Sequence, residues 1–384
     1  MAKSYEEINA RIARGEAVVL TAEEVSRMAD EASPAEIAKK VDVVTTATFG
    51  AMCSSGCFIN FGHTSPPIRM ESITLNGVPA FAGVAAVDAY IGATETSPDD
   101  PSYGGAHVIE ALVRGEEVQL SARGKGTDCY PKKTVETWIR KDRVNEITMV
   151  NPRNAYQNYP AAANSTEHML YTYMGSLLPR FGNVNYSTSG ELSPLLNDPR
   201  LRAIGIGTRV FLGGAQGFVS WRGTQFNTEK PRNERGIPES NAATLMLTAD
   251  VKEMSPDFLR AAYFEKYGVT IYLGIGIPIP VLDEDMAACV SIRNRDIPAL
   301  VCDYGVDGHP PIARTNYEAL RSGSIELEGR KVKTAPLSSL ARARAIAALL
   351  KLRVASGAFP IAPPVQALPS RSAVAGLSER GRSR

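Results

Sequence analysis

Five cysteines, at positions 53, 57, 129, 289 and 302, are the most reactive side chains in the sequence. Cys129 sits in the stretch Gly124-Lys125-Gly126-Thr127-Asp128-Cys129-Tyr130-Pro131-Lys132-Lys133. Glycine and proline turn the backbone there, which puts the thiol on a loop. Lys125, Lys132, Lys133 and Arg123 favour the anionic, nucleophilic form of a thiol, and Asp128 opposes them. The chemistry on offer is that of nucleophilic sulfur. The competing reading is a small packing residue, since unpaired cysteine is among the most buried residue types.

Cys53 and Cys57 bracket three residues in a second stretch, Gly50-Ala51-Met52-Cys53-Ser54-Ser55-Gly56-Cys57-Phe58-Ile59-Asn60-Phe61-Gly62-His63. Such spacing also occurs in metal and cluster sites, but these usually need four ligands. Only Cys129, His63 and the distant Cys289 and Cys302 remain to complete a set. Cys289 and Cys302 lie in apolar surroundings and read as core. His63 and His107 stand beside glycines, as positioned acid–base groups often do; a histidine that only makes structural hydrogen bonds fits equally. His168 and His309 have no such context. Arg153 and Arg209 fall in loop-like stretches and suit bidentate capture of a carboxylate, against the plainer reading of ordinary ion pairs. The glycine-rich run Gly205 to Gly214 misses the dinucleotide fingerprint, and no phosphate-loop motif is present, so no nicotinamide, flavin or nucleotide cofactor is expected.

Balanced charge, with 42 Lys+Arg against 41 Asp+Glu, gives no electrostatic case for nucleic acid or an anionic membrane surface. No apolar run of about 18 residues marks a membrane helix. The N-terminus lacks the apolar stretch of a secretory signal. An odd number of cysteines in a 384-residue chain does not read as a disulfide framework, and a reducing cytoplasm is expected.

The elements that must position these residues follow from local signals. Ser4…Glu7, Thr21…Glu24 and Ser33…Glu36 match the capping box, with Pro34 at a first helical position. The β-branched run 41–49 reads as a strand leading into the Cys53 turn. Asn76-Gly77 marks a hairpin. Gly104-Gly105 reads as a turn opening a helix, and 118–122 as a strand leading to the Cys129 loop. The stretch 151–157 reads as a loop entering a helix, 166–178 as a helix and 183–194 as a loop. Strands are expected over 202–210, 217–221, 243–247 and 299–303. A helix is expected from Ser255-Pro256 through Phe264, and another over 283–289. The apolar run 269–279 reads as a buried strand that its glycines and prolines break early. A helix over 338–354 is stopped by Gly357. Interleaved strands and helices argue for the α/β class, with mixed sheets in a single large multi-lobed unit over 1–357. Residues 358–384, rich in Pro, Ser and Arg, read as a disordered tail.

Several long stretches together resemble the homocysteine-biosynthesis sulfur-incorporation family, the L-aspartate semialdehyde sulfurtransferases. They are 48–56, 60–63, Tyr103-Gly104-Gly105-Ala106-His107-Val108-Ile109-Glu110, 126–131, Asn151-Pro152-Arg153-Asn154-Ala155-Tyr156-Gln157, 205–214 and 333–340. The resemblance reaches to about Pro364. It implies that sulfide-level sulfur is loaded on a cysteine as a persulfide, attacks the aldehyde carbon of aspartate semialdehyde, and is reduced to homocysteine. It matches the persulfide carrier to Cys129 and the second family cysteine to Cys53, and gives Cys57 no role. No cofactor is implied in the chain itself; electrons are expected from a small ferredoxin-like iron–sulfur partner. A homo-oligomer is compatible with this reading. Methanogen members often carry a C-terminal pair of CBS modules, where this sequence has a basic tail. The scheme requires Cys53 and Cys129 to meet. A non-enzymatic persulfide or redox carrier and a metal-binding structural protein are the alternatives.

Overall fold

A computed structural model describes residues 2–371 and 376–377. The chain opens with helices Tyr5–Ala13, Ala22–Met28 and Pro34–Lys40. All three start on complete capping boxes, from Ser4 to Glu7, Thr21 to Glu24 and Ser33 to Glu36.

These helices deliver the chain into the Val43–Ala51 strand, whose β-branched residues are buried almost throughout. It lies inside a ten-stranded sheet, parallel to Val19–Thr21 on one side and antiparallel to Gly268–Pro280 on the other. Beyond Gly268–Pro280 come Arg209–Leu212, Ala215–Arg222, Leu245–Asp250, Glu146–Asn154, Gly56–Asn60 and Asp88–Gly92. Helix Leu340–Ala355 crosses the sheet and buries Ala343, Ile346, Ala347, Leu350 and Val354. Gly274 and Gly276, expected to break their strand, instead make room for this helix. A Cβ on Gly276 would stand 3.1 Å from Leu350 Cδ2. The strand therefore runs unbroken for 13 residues.

A six-stranded sheet forms the second lobe, in the order Pro311–Asn316, Pro298–Asp303, Ala161–Ala163, Asn183–Tyr186, Arg330–Pro336 and Ser324–Leu327. Its own apolar core includes Val184, Ile297, Val301 and the fully buried Tyr317. A four-stranded antiparallel sheet, Val78–Ala80, Ser72–Leu75, Val118–Arg123 and Thr134–Ile139, makes the third layer. The Asn76-Gly77 turn falls where expected, with both residues at positive φ. The α/β class with mixed sheets holds.

Several local expectations fail for identifiable reasons. Residues 166–178 form a hairpin, Leu170–Thr172 against Gly175–Leu177, not a helix. Thr172 Oγ1 bonds within the turn, and Gly175 supplies a positive φ. No helix follows Asn151–Gln157: the Glu146–Asn154 strand pairs as far as Leu245, and Ala155 and Asn158 then take positive φ. The stretch 183–194 is not all loop, because Asn183–Tyr186 is a central strand of the six-stranded sheet. After Ser255-Pro256 a single 3₁₀ turn gives way to the Leu259–Phe264 strand, recruited by pairing with Gly268–Pro280. Residues 202–208 precede the Arg209–Leu212 strand without joining it.

The body also extends past residue 357. Phe359 and Ile361 are buried, Gln366 bridges to Ile206, and Arg222 donates to the carbonyls of Pro369 and Ser370. Arg380, Arg382 and Arg384 of the basic end lie outside the described residues.

Candidate active site

Strand register builds the site. Ala51 pairs with Tyr272, and the next amide, Met52 N–H, donates to Ile271 C=O at 2.8 Å. Continuing that register by one residue brings Cys53 beside Thr270. The buried Thr270 hydroxyl accordingly donates to Cys53 Sγ at 3.2 Å. On the other flank Gly56 pairs with Val150, which carries the Glu146–Asn154 strand past the Cys53 turn. Ser54 Oγ donates to Arg153 C=O at 3.0 Å and to Asn151 Oδ1 at 3.1 Å. Asn151 Nδ2 closes the bracket on Ser55 Oγ at 2.7 Å. A turn of small residues is thus clamped between two long strands, and residues 100 apart in sequence are brought together.

Cys53 and Arg153 line one cavity of about 330 Å³ at the junction of the two larger sheets. Its walls are Tyr156, Tyr159 and Tyr173, with Tyr267 near the sulfur and Met52, Met174 and Leu337 as apolar surface. A volume of this size is at the small end for metabolite sites. Arg153 makes no ion pair among the described residues and lines a cavity that contains no Asp or Glu. An unopposed guanidinium in such a place is set up to receive an anion, with bidentate geometry available to a carboxylate. Burial, then the charge of the neighbouring Cys53 sulfur, pushes the Tyr267 phenol up to about 12. Burial likewise pushes Tyr156 up to about 12, and Tyr159 further. All of them remain neutral hydrogen-bond donors at ordinary pH.

Cys129 stands elsewhere. Thr127 and Tyr130 exchange both backbone hydrogen bonds, which leaves Asp128 and Cys129 as the exposed two-residue tip of a turn. This tip joins Val118–Arg123 to Thr134–Ile139 in the four-stranded sheet. The exposed His63 ring stacks on Tyr130 with centroids 6.0 Å apart, so His63 accompanies Cys129. Cys53 precedes the Gly56–Asn60 strand and His63 follows it. That strand alone sets about 13 Å of rise between the two places. Cys129 is not among the residues lining the Cys53 cavity.

The remaining candidates fall outside both places. His107 Nδ1 accepts from Gly104 N–H at 3.2 Å, and its ring stacks on Tyr103. It caps its own helix, Gly105–Arg114, and burial holds its pKa below the usual value. The glycines before it are needed for packing: a Cβ on Gly105 would run into the Gly92 carbonyl. Arg209 lies in the sheet opposite Phe218 and does not line the cavity. Cys57 is fully buried in its strand, and burial pushes its thiol far up. Among the described residues no three His, Cys, Asp or Glu side chains group as metal ligands, and no helix is long and apolar enough to cross a membrane. The tyrosines and Thr270 escaped sequence reading. Only Tyr156, inside the 151–157 motif, carried a local signal.

A thiol and an arginine with no ion pair among the described residues thus face one half-open cavity, an arrangement suited to holding a small anion beside sulfur. The family described as homocysteine biosynthesis enzyme, sulfur-incorporation, matches residues 17–361, and the chain belongs to it. It is 51% identical over 369 residues to an L-aspartate semialdehyde sulfurtransferase of Methanosarcina acetivorans, covering 95% of this chain and 72% of that protein. It is 50% identical over 384 residues to a protein of the same name from Methanocaldococcus jannaschii, covering 95% and 73%. An uncharacterized protein of Methanothermobacter thermautotrophicus is 30% identical over 329 residues, covering 83% and 72%. No solved structure matches.

Proposed function

We propose that this protein is an L-aspartate semialdehyde sulfurtransferase that makes L-homocysteine through a cysteine persulfide. The observation that carries the reading is the shared cavity of Cys53 and the unpaired Arg153. Aspartate semialdehyde is small, bears a carboxylate for the guanidinium and presents an aldehyde to sulfur. Half of the aligned residues are identical to those of proteins bearing that name.

In this scheme Cys129, exposed at its turn, attacks the zero-valent sulfur of a persulfide or polysulfide donor, whose remaining sulfur leaves as thiolate or a shorter polysulfide, and so carries the persulfide. Cys53 thiolate takes the outer sulfur and releases Cys129 as thiolate, with no change in total oxidation state. The two thiols line different places in this conformation, so the exchange requires the Cys129 turn to move or a second molecule to present it. The persulfide on Cys53 then adds to the aldehyde carbon, and the carbonyl oxygen takes a proton. Two electrons cleave the sulfur–sulfur bond. Water leaves the resulting thiohemiacetal, and two more electrons reduce the thiocarbonyl to homocysteine. Counted from sulfide instead of persulfide, the net requirement is two electrons. An external, small ferredoxin-like iron–sulfur protein is the proposed electron source, with no cofactor resident in the chain.

The deciding assay is anaerobic: polysulfide loads the protein, aspartate semialdehyde and a strong reductant are then added, and homocysteine is the readout. Cys129→Ala is expected to lose persulfide label and turnover. Cys53→Ala is expected to keep the label on Cys129 but form no homocysteine. Wild-type turnover in Cys53→Ala would overturn the assignment.

A further inference from the structure

Addition of sulfur to an aldehyde needs an acid, and among the described residues no carboxyl group, histidine or lysine lines the Cys53 cavity. Arginine stays protonated and cannot serve. The acidic protons facing the space are phenolic. Tyr267 lines this cavity together with Cys53, which places a phenol on the wall beside the reacting sulfur. Its ring meets Tyr173 with centroids 6.3 Å apart. Tyr173 is the hub of a hydroxyl chain: Tyr159 Oη donates to Tyr173 Oη at 3.2 Å, and Tyr173 Oη lies 2.8 Å from Tyr304 Oη. Tyr304 is outside the cavity, stacked on the exposed His309 ring at 4.0 Å. The Tyr173 and Tyr304 hydroxyls therefore link the cavity wall to the protein surface.

We propose that Tyr267 is the proton donor to the carbonyl oxygen when sulfur on Cys53 adds to the aldehyde, and that the Tyr173–Tyr304 hydroxyl pair returns that proton from solvent. As the new carbon–sulfur bond forms, the carbonyl π pair moves onto oxygen and takes the Tyr267 phenolic proton. The phenolate is refilled through Tyr173, so each addition consumes one solvent proton and no other reagent. Burial keeps Tyr267 and Tyr304 neutral, as a donor must be before the oxyanion appears. The assignment rests on the sulfurtransferase reading for its substrate, but its geometry does not depend on the identity of the aldehyde.

The test uses Tyr267→Phe and Tyr304→Phe, which keep the rings. In the homocysteine assay Tyr267→Phe is expected to lower kcat by about 100-fold or more with KM little changed, the range for a positioned general acid. Tyr304→Phe is expected to lower kcat less and to change the solvent deuterium isotope effect, which a packing role would not do. A second arm follows adduct formation at Cys53 with carbonyl-labelled succinate semialdehyde by ¹³C NMR, with Cys53→Ala as blank. Tyr267→Phe should slow that addition too. A wild type that forms the adduct but no homocysteine refutes the sulfurtransferase reading and leaves the tyrosine assignment to the adduct rates. Wild-type adduct rates in Tyr267→Phe, or no adduct in the wild type, overturn the assignment.

Discussion

Replacing Arg153 by alanine separates the cavity's chemistry from mere folding. Arg153 faces the Cys53 cavity without an acidic partner, and its backbone, not its side chain, bonds to Ser54 and Asn151. Truncating it therefore leaves the Cys53 turn clamped and removes only the charge facing the substrate. A hydrogen bond to a charged group contributes about 1.5–3 kcal/mol. Taking about 2–3 kcal/mol for the substrate carboxylate, at about 1.4 kcal/mol per decade, kcat/KM should fall by about 30- to 140-fold. Most of the loss should appear in KM, because the carboxylate is held equally in ground and transition states. Arg153→Lys keeps the charge but loses the planar fork, and should fall between wild type and alanine. Arg209→Ala, outside the cavity, should change kcat/KM by less than about twofold. Steady-state kinetics with varied aspartate semialdehyde, at matched melting temperature, measure all three. An unchanged KM in Arg153→Ala, or an equal loss in Arg209→Ala, would refute the carboxylate assignment.

Two further outcomes are expected. Alkylation by iodoacetamide, mapped by mass spectrometry, should reach the exposed Cys129 fastest and the fully buried Cys57 only on unfolding; early labelling of Cys57 would contradict its burial. The two hydrogen bonds from Arg202, 2.6 and 3.0 Å long, hold the Asp283 carboxyl below its ordinary range. A depressed carboxylate adds stability that is complete above the unfolded value of about 3.9 and lost as pH falls through the lower folded value. The melting-temperature gap between wild type and Asp283→Asn should thus be constant above about pH 5 and shrink below about pH 4; a gap independent of pH would exclude the ion pair as its source.

Local signals were enough wherever one or two residues dictate backbone geometry. The three capping boxes, the Asn76-Gly77 turn and the Gly357 stop all appear as the residues predict. So does the turn that carries Cys129, because glycine and proline act within a few residues. The family, too, was legible, since its long motifs lie in the primary structure. Pairing across the sheets was not. Leu259–Phe264 and Leu170–Leu177 look helical in isolation and become strands once partners are supplied, because strand preference depends on neighbours far away in the chain. Gly274 and Gly276 look like breaks until helix Leu340–Ala355 is laid across them. The same limit governs the site. Residue types and the family resemblance nominated Cys129 and Cys53 first, then His63, His107, Arg153 and Arg209, with nothing to say which of them share a site. Register, set by burial of whole strands, put Cys53 with Thr270 and Arg153, left His63 with Cys129 at another surface, and turned His107 into a helix cap.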